Sequence, residues 1–245
     1  MYGTRLSPST ANPELVDRDA APGETNSAWL KRHAQTEGLV LLGGTSLSHF
    51  RVRVAQCHLR RDLLPSFWSL AGILHDGKIH TVTFDGIGTA EGVVADNGVQ
   101  ARPLADFDDP VAFPNIAVLQ FASSRAQLLE HIDVVKQTRA MVDIPSLLLR
   151  WLGFVWSAAR ATNPLLEGQG LPCAAFVESV YGLSRTDLTP GLASSASCPE
   201  AIWQAAKWWR QYYEDATGEG LDDPEDTATP KGIFAVRQPA AAARG

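Results

Sequence analysis

Two short apolar runs, Phe67–Leu74 and Ile79–Phe84, meet across Asp76-Gly77. An Asp-Gly pair between such runs is a strong signal for a two-residue hairpin, because both turn residues must take positive φ and these two tolerate it. The turn also sets a register, with Leu70 opposite Thr83 and Gly72 opposite Thr81. Paired strands match faces, so Leu70, Gly72, Thr81 and Thr83 are expected on one side of the sheet and His75 and His80 on the other.

Other segments extend this sheet. Gly38–Leu42 is an apolar run closed by Gly43-Gly44, and Asn115–Phe121 is a further strand entered through Pro114. Phe50–Val54 alternates, with Phe50, Val52 and Val54 on one face and Arg51 and Arg53 on the other, which reads as a half-buried strand. From Ser123 the period becomes helical: Leu128, Leu129, Ile132 and Val135 recur at helix spacing after a Ser cap. Pro145 opens a second helix, apolar nearly all round, and Pro172 opens a third carrying Phe176, Val177, Val180 and Tyr181. Ser197-Cys-Pro-Glu200 has the form of a capping box ahead of a stripe of Ile202, Trp203, Ala206, Trp209 and Tyr213. Strands followed by helices define an α+β domain, placed at residues 28–214. Residues 1–27 and 215–245 lack apolar periodicity and read as a mobile leader and a mobile acidic, Ala-rich tail. Within that tail Gly232–Val236 is an apolar island, either spare chain or a peptide that docks on a partner.

The chain has 245 residues, 21 Lys and Arg against 27 Asp and Glu, and a net charge of −6, which argues against a general nucleic-acid binder. No signal peptide is visible, and the longest apolar stretch, Ile144–Ala159, is interrupted by Arg150 and shorter than the roughly 20 residues of a membrane span. Three cysteines do not make a disulfide framework, so the expectation is a cytoplasmic protein with reduced thiols and no stable membrane insertion. Arg51, Arg53, Arg60 and Arg61 read as a solvated strand face or as a strip for an acidic partner or substrate carboxylate. Trp208 and Tyr212, on the outer side of the last helix, read as core cover or as an interface.

Few residues offer chemistry. Gly43-Gly44-Thr45-Ser46 lacks the spacing of a phosphate loop, the six histidines show no HxxxH or HExxH, and the cysteines form no CxxC, so neither cofactor nor metal is expected. Cys173 stands apart. It follows Pro172 and falls in the first turn of a helix, where the dipole and the unpaired N–H groups favour a thiolate. The alternative is a small buried thiol packed beside Phe176 and Val177. A nucleophilic Cys needs a base, and the last histidine is His131, so any pair runs His first and Cys second.

That order, with the strings Gly38-Leu-Val-Leu-Leu-Gly-Gly44, Pro65-Ser-Phe-Trp-Ser-Leu-Ala-Gly-Ile-Leu74 and Pro172-Cys-Ala-Ala-Phe-Val-Glu-Ser-Val-Tyr181, resembles the circularly permuted branch of the NlpC-type papain-like cysteine hydrolases over roughly residues 38–183. The resemblance implies a papain-like antiparallel sheet packed on helices. It also implies thiolate attack by Cys173 on a peptide, amide or acyl bond through a thioester, in a cleft lined by Trp68, Leu70, Thr81 and Pro172. One position departs from the pattern: the family's His falls where Leu70 stands. Leu cannot take a proton, and general-base assistance typically contributes about 10²–10⁴-fold. Three accounts follow: a hydrolase whose base is His80, His75 or His49; a degenerate hydrolase fold kept as a protein-binding module; or a structural protein in which Cys173 only packs.

Overall fold

The computed structural model describes residues 15–84, 93–121, 125–158, 161–216 and 231–237. Seven strands form one mixed sheet: β1 (Leu15–Asp17), β2 (Gly38–Gly43), β3 (Leu70–His75), β4 (Lys78–Thr81), β5 (Gln100–Pro103), β6 (Asn115–Gln120) and β7 (Lys231–Val236). Their order is β1-β7-β6-β2-β3-β4-β5, and every neighbour is antiparallel except the β1–β7 pair. Among the described residues six α-helices are bounded: α1 (Asn26–Arg32), α2 (Leu47–Ala55), α3 (Arg125–Gln137), α4 (Ile144–Val155), α5 (Pro172–Leu183) and α6 (Pro199–Ala216). The fold is α+β, in one domain.

Leu39, Val40, Leu41 and Leu42 are all buried, as are Ile116 through Leu119, so the central strands are covered on both faces. Continuous apolar runs rather than alternation are the expected signature of such strands. One cover is α1, whose Leu30 shares a cleft with Leu74 of β3. On the other side α5 and α6 meet the sheet through ring contacts, Tyr181 on Phe121 and Trp203 on Phe234.

The hairpin forms as its turn chemistry requires. Asp76 and Gly77 both have positive φ, and the ladder pairs Gly72 with Thr81, Ile73 with His80, Leu74 with Ile79 and His75 with Lys78. It stops at Thr81, so the expected Leu70–Thr83 pair is absent from the ladder.

Four readings are corrected. Phe50–Val54 is helical, inside α2, with the Ser46 hydroxyl accepting from the His49 N–H at its start. Five alternating residues also fit one and a half helical turns, and the cap decides. The domain extends beyond residues 28–214 at both ends, because β1 and β7 pair with each other and β7 with β6. Gly232–Val236 is therefore sheet, not a tail peptide held ready for a partner: Phe234 lies opposite Ala117, and Ala235 is buried. The capping box also fails to close, since the Ser197 hydroxyl donates to Glu178 and the Glu200 carboxylate takes the Ser66 hydroxyl. Ser123 lies outside the described residues.

Candidate functional site

Pro172 starts α5 without a side-chain cap, as a first-turn proline can, and Cys173 follows in the first turn. Strand β4 leaves β3 just beyond Gly72, which frees the two polar backbone groups of Ala71 on that side. Side chains take both. The Thr81 hydroxyl donates to the Ala71 carbonyl at 2.6 Å, and the Ala71 N–H donates to Cys173 Sγ at 3.5 Å. The sulfur thus fills the place of a missing ladder partner.

Cys173 is only 1% exposed. Burial pushes its thiol up to about 11, although the N–H groups of Ala71, Ala174 and Cys173 itself pull in the opposite direction. Desolvation of the charged form outweighs the helix N-terminus here. Cys198, which begins the turn into α6, is buried as well, and burial pushes it up to about 12.

Among the described residues the hairpin histidines, His75 and His80, make no hydrogen bond to the sulfur, and His80 Nδ1 is buried without a hydrogen-bond partner. His80 sits opposite Ile73, two positions along β3 from Ala71. Its pKa is lowered, chiefly by burial and then by Lys136, so it is neutral at physiological pH. His49 lies on α2 with its ring edge-on to Phe113.

The four residues assigned to a cleft are all interior. Trp68, Leu70, Thr81 and Pro172 are buried, and Trp68 stacks edge-to-face on Trp203 at 5.2 Å. A cleft of about 340 Å³ lies at the turn end of the hairpin, between Leu30, Lys31 and Ala34 on one side and Leu74, Asp76 and Leu104 on the other. None of Cys173, His75 and His80 lines it.

Two buried acidic networks were not legible in the sequence. Glu178, in the middle of α5, accepts from the Thr189 hydroxyl at 2.6 Å and the Ser197 hydroxyl at 2.7 Å. Burial pushes its carboxyl up to about 7 despite those two donors. Glu200 takes the Ser66 hydroxyl at 2.6 Å and the Gln204 amide, while its own N–H donates to Gln56 Oε1. Gln56 then donates to the carbonyls of Val52 and Trp68. These bonds tie α2, the approach to β3 and the start of α6 into one unit around the Cys173 helix. Only a buried neighbour far away in the chain distinguishes Glu178 or Glu200 from a surface carboxylate.

The arginine strip also resolves. Arg53 donates to the Ser66 carbonyl, Arg60 pairs with Asp62 and lies over the Phe67 ring, and Arg51 donates to the Val155 carbonyl. Among the described residues no group of His, Cys, Asp and Glu is placed to hold a metal, and no helix is long and apolar enough to cross a membrane. No family model, no curated protein and no solved structure matches the chain.

Proposed function

We propose that this chain is a catalytically degenerate papain-type domain that works as a protein-binding module. The carrying observation is the state of Cys173: nearly unexposed, occupied by the Ala71 N–H, and pushed up to about 11. At neutral pH a thiol of that pKa is ionised in roughly one molecule in 10⁴, against a few per cent for a free cysteine. Leu70 at the position of the family's base and the distance of His80 along the ladder support the same reading. The sulfur serves the sheet rather than a substrate.

The hydrolase reading keeps one observation in its favour, the three N–H groups around Sγ, which in a solvent-open site stabilise a thiolate. The two readings separate in one experiment. Native protein is incubated with an activated acyl ester at pH 7.5 and its intact mass followed, beside the Cys173→Ser variant. The module reading expects no thioester adduct at Cys173 and no ester turnover that the substitution abolishes. An acyl adduct at Cys173 that forms and decays in the folded protein overturns it.

A further inference from the structure

Helix α2 is apolar on both sides. His49, Val52, Ala55 and Gln56 face inward, as a three-to-four-residue period requires. The opposite face should be polar, yet it carries Leu47, Phe50 and Val54 at i, i+3 and i+7, with Leu47 65% and Phe50 48% exposed. A second unpartnered apolar face adjoins it. Helix α4 exposes Leu149, and Trp156 at its C-cap is 62% exposed. The two helices are tied where these faces meet, since the Arg51 guanidinium donates to the Val155 carbonyl. Asn163 donates to the Ala55 carbonyl at 2.8 Å and so brings the exposed Leu166 to the same end of α2.

Charge separates this face from the rest of the molecule. The chain carries 27 acidic residues, yet α2 and α4 contain none within their bounds and hold Arg51, Arg53 and Arg150. Of the carboxylates on the adjoining segments, Asp62 is paired with Arg60, and Glu167 keeps its charge while accepting from the Thr162 hydroxyl, as Arg51 and Arg53 keep theirs while donating to backbone carbonyls. An apolar stripe beside arginines, on a protein of net charge −6, is complementary to an acidic partner and repels a basic one. The stripe from Leu47 to Val54 rises about 10 Å along the helix, two turns, which suits side-by-side packing against another helix.

We infer that the outer face of α2, with Leu149 and Trp156 of the α4 end, docks an amphipathic helix of a partner protein that presents an apolar stripe flanked by Asp and Glu. This surface rests on the binding-module reading and gives it a place and a partner chemistry. Trp156 and Phe50 are the aromatic anchors, the residue types that dominate interface energetics. Arg150 pairs at the rim and sets which helices are accepted.

The test uses the full chain and a fluorescein-labelled synthetic helix with a Leu/Trp stripe and Glu on its flanks, beside the same helix with Lys for every Glu. Fluorescence anisotropy is read at physiological salt, and amide shifts in two-dimensional NMR locate the contact. The Glu helix is expected to bind, with shifts confined to α2 and the α4 end, and the Lys helix to bind at least about tenfold more weakly. Phe50→Ser and Trp156→Ser, both at exposed positions, each weaken binding about tenfold or more. Arg150→Glu removes the preference for Glu over Lys. Equal binding of the two helices, shifts elsewhere, or binding only to anionic phospholipid vesicles and to neither helix overturns the proposal. The acyl-adduct assay on the same sample separates the failures. An inert Cys173 with no helix bound sinks this surface alone, whereas acylation of Cys173 sinks the module reading beneath it.

Discussion

Removing the sulfur of Cys173 leaves a specific debt at Ala71. In Cys173→Ala the Ala71 N–H keeps its place at the point where β4 departs, buried and with no acceptor. A buried donor left unsatisfied costs about 1–3 kcal/mol, and losing a buried sulfur's contacts adds about 1 kcal/mol, near the value of one methylene. The sum is about 2–4 kcal/mol of global stability. For a domain of this size each kcal/mol lowers Tm by roughly 2–4 °C. Cys173→Ser restores an acceptor but buries a hydroxyl, so it too is less stable than the parent. What separates the two variants is the amide itself. Hydrogen exchange at Ala71 should accelerate in Cys173→Ala beyond the global loss and should remain protected in Cys173→Ser. An alanine variant within about 0.5 kcal/mol of the parent, with Ala71 equally protected, refutes the reasoning.

Two further predictions concern the supports of the same helix. Glu178 has its carboxyl pushed up to about 7, above its ordinary value of 4.5, so the folded state holds its proton more tightly than the unfolded state does. That contribution to stability is complete below about pH 4.5 and is lost as pH rises through about 7, a swing of roughly 3 kcal/mol. Urea denaturation at pH 5 and pH 8 should show the fall in the parent and a flatter profile in Glu178→Gln; matching profiles exclude it. Gly170→Ala places a methyl 2.4 Å from the Ser197 carbonyl oxygen and 2.6 Å from its nitrogen, and should cost more than about 3 kcal/mol or prevent folding. Gly182→Ala, on α5 with nothing within 4 Å, should instead gain up to about 1 kcal/mol; the reverse order in thermal melts would contradict the packing described.

What could be read in advance was what short-range chemistry decides. Asp76-Gly77 gave the hairpin and its Gly72–Thr81 register, and Pro172 gave the start of α5, because each acts on the backbone next to it. Helix α2 reads as a strand in the sequence because Phe50, Val52 and Val54 satisfy a period of two, while the deciding signal, Ser46 as a cap, sits outside that window. For another reason the pairing of β1 with β7 is not legible, although Gly232–Val236 stands out as an apolar island. Leu15 pairs with Gly232, and nothing local in a three-residue segment announces a partner that far along the chain. For Cys173 the place on the helix is legible in the sequence and two environments stay open, an exposed thiolate and a buried thiol beside Phe176 and Val177; the structure has the buried one. Burial of Cys173 depends on β3 and the Cys198 segment arriving from far along the chain, and the apolar run Ala174–Val177 is the local hint.

The most direct measurement is the rate of iodoacetamide labelling, read by intact mass and peptide mapping across pH. Cys57 is half-buried and acts as the internal control, while Cys173 and Cys198 are buried. A structural Cys173 labels together with Cys198, far more slowly than Cys57, at a rate that follows the urea dependence of unfolding. Fast labelling of Cys173 in the folded protein, with an apparent pKa below the free-thiol value of about 8.5, contradicts the structural role and returns the chain to the thiol hydrolases.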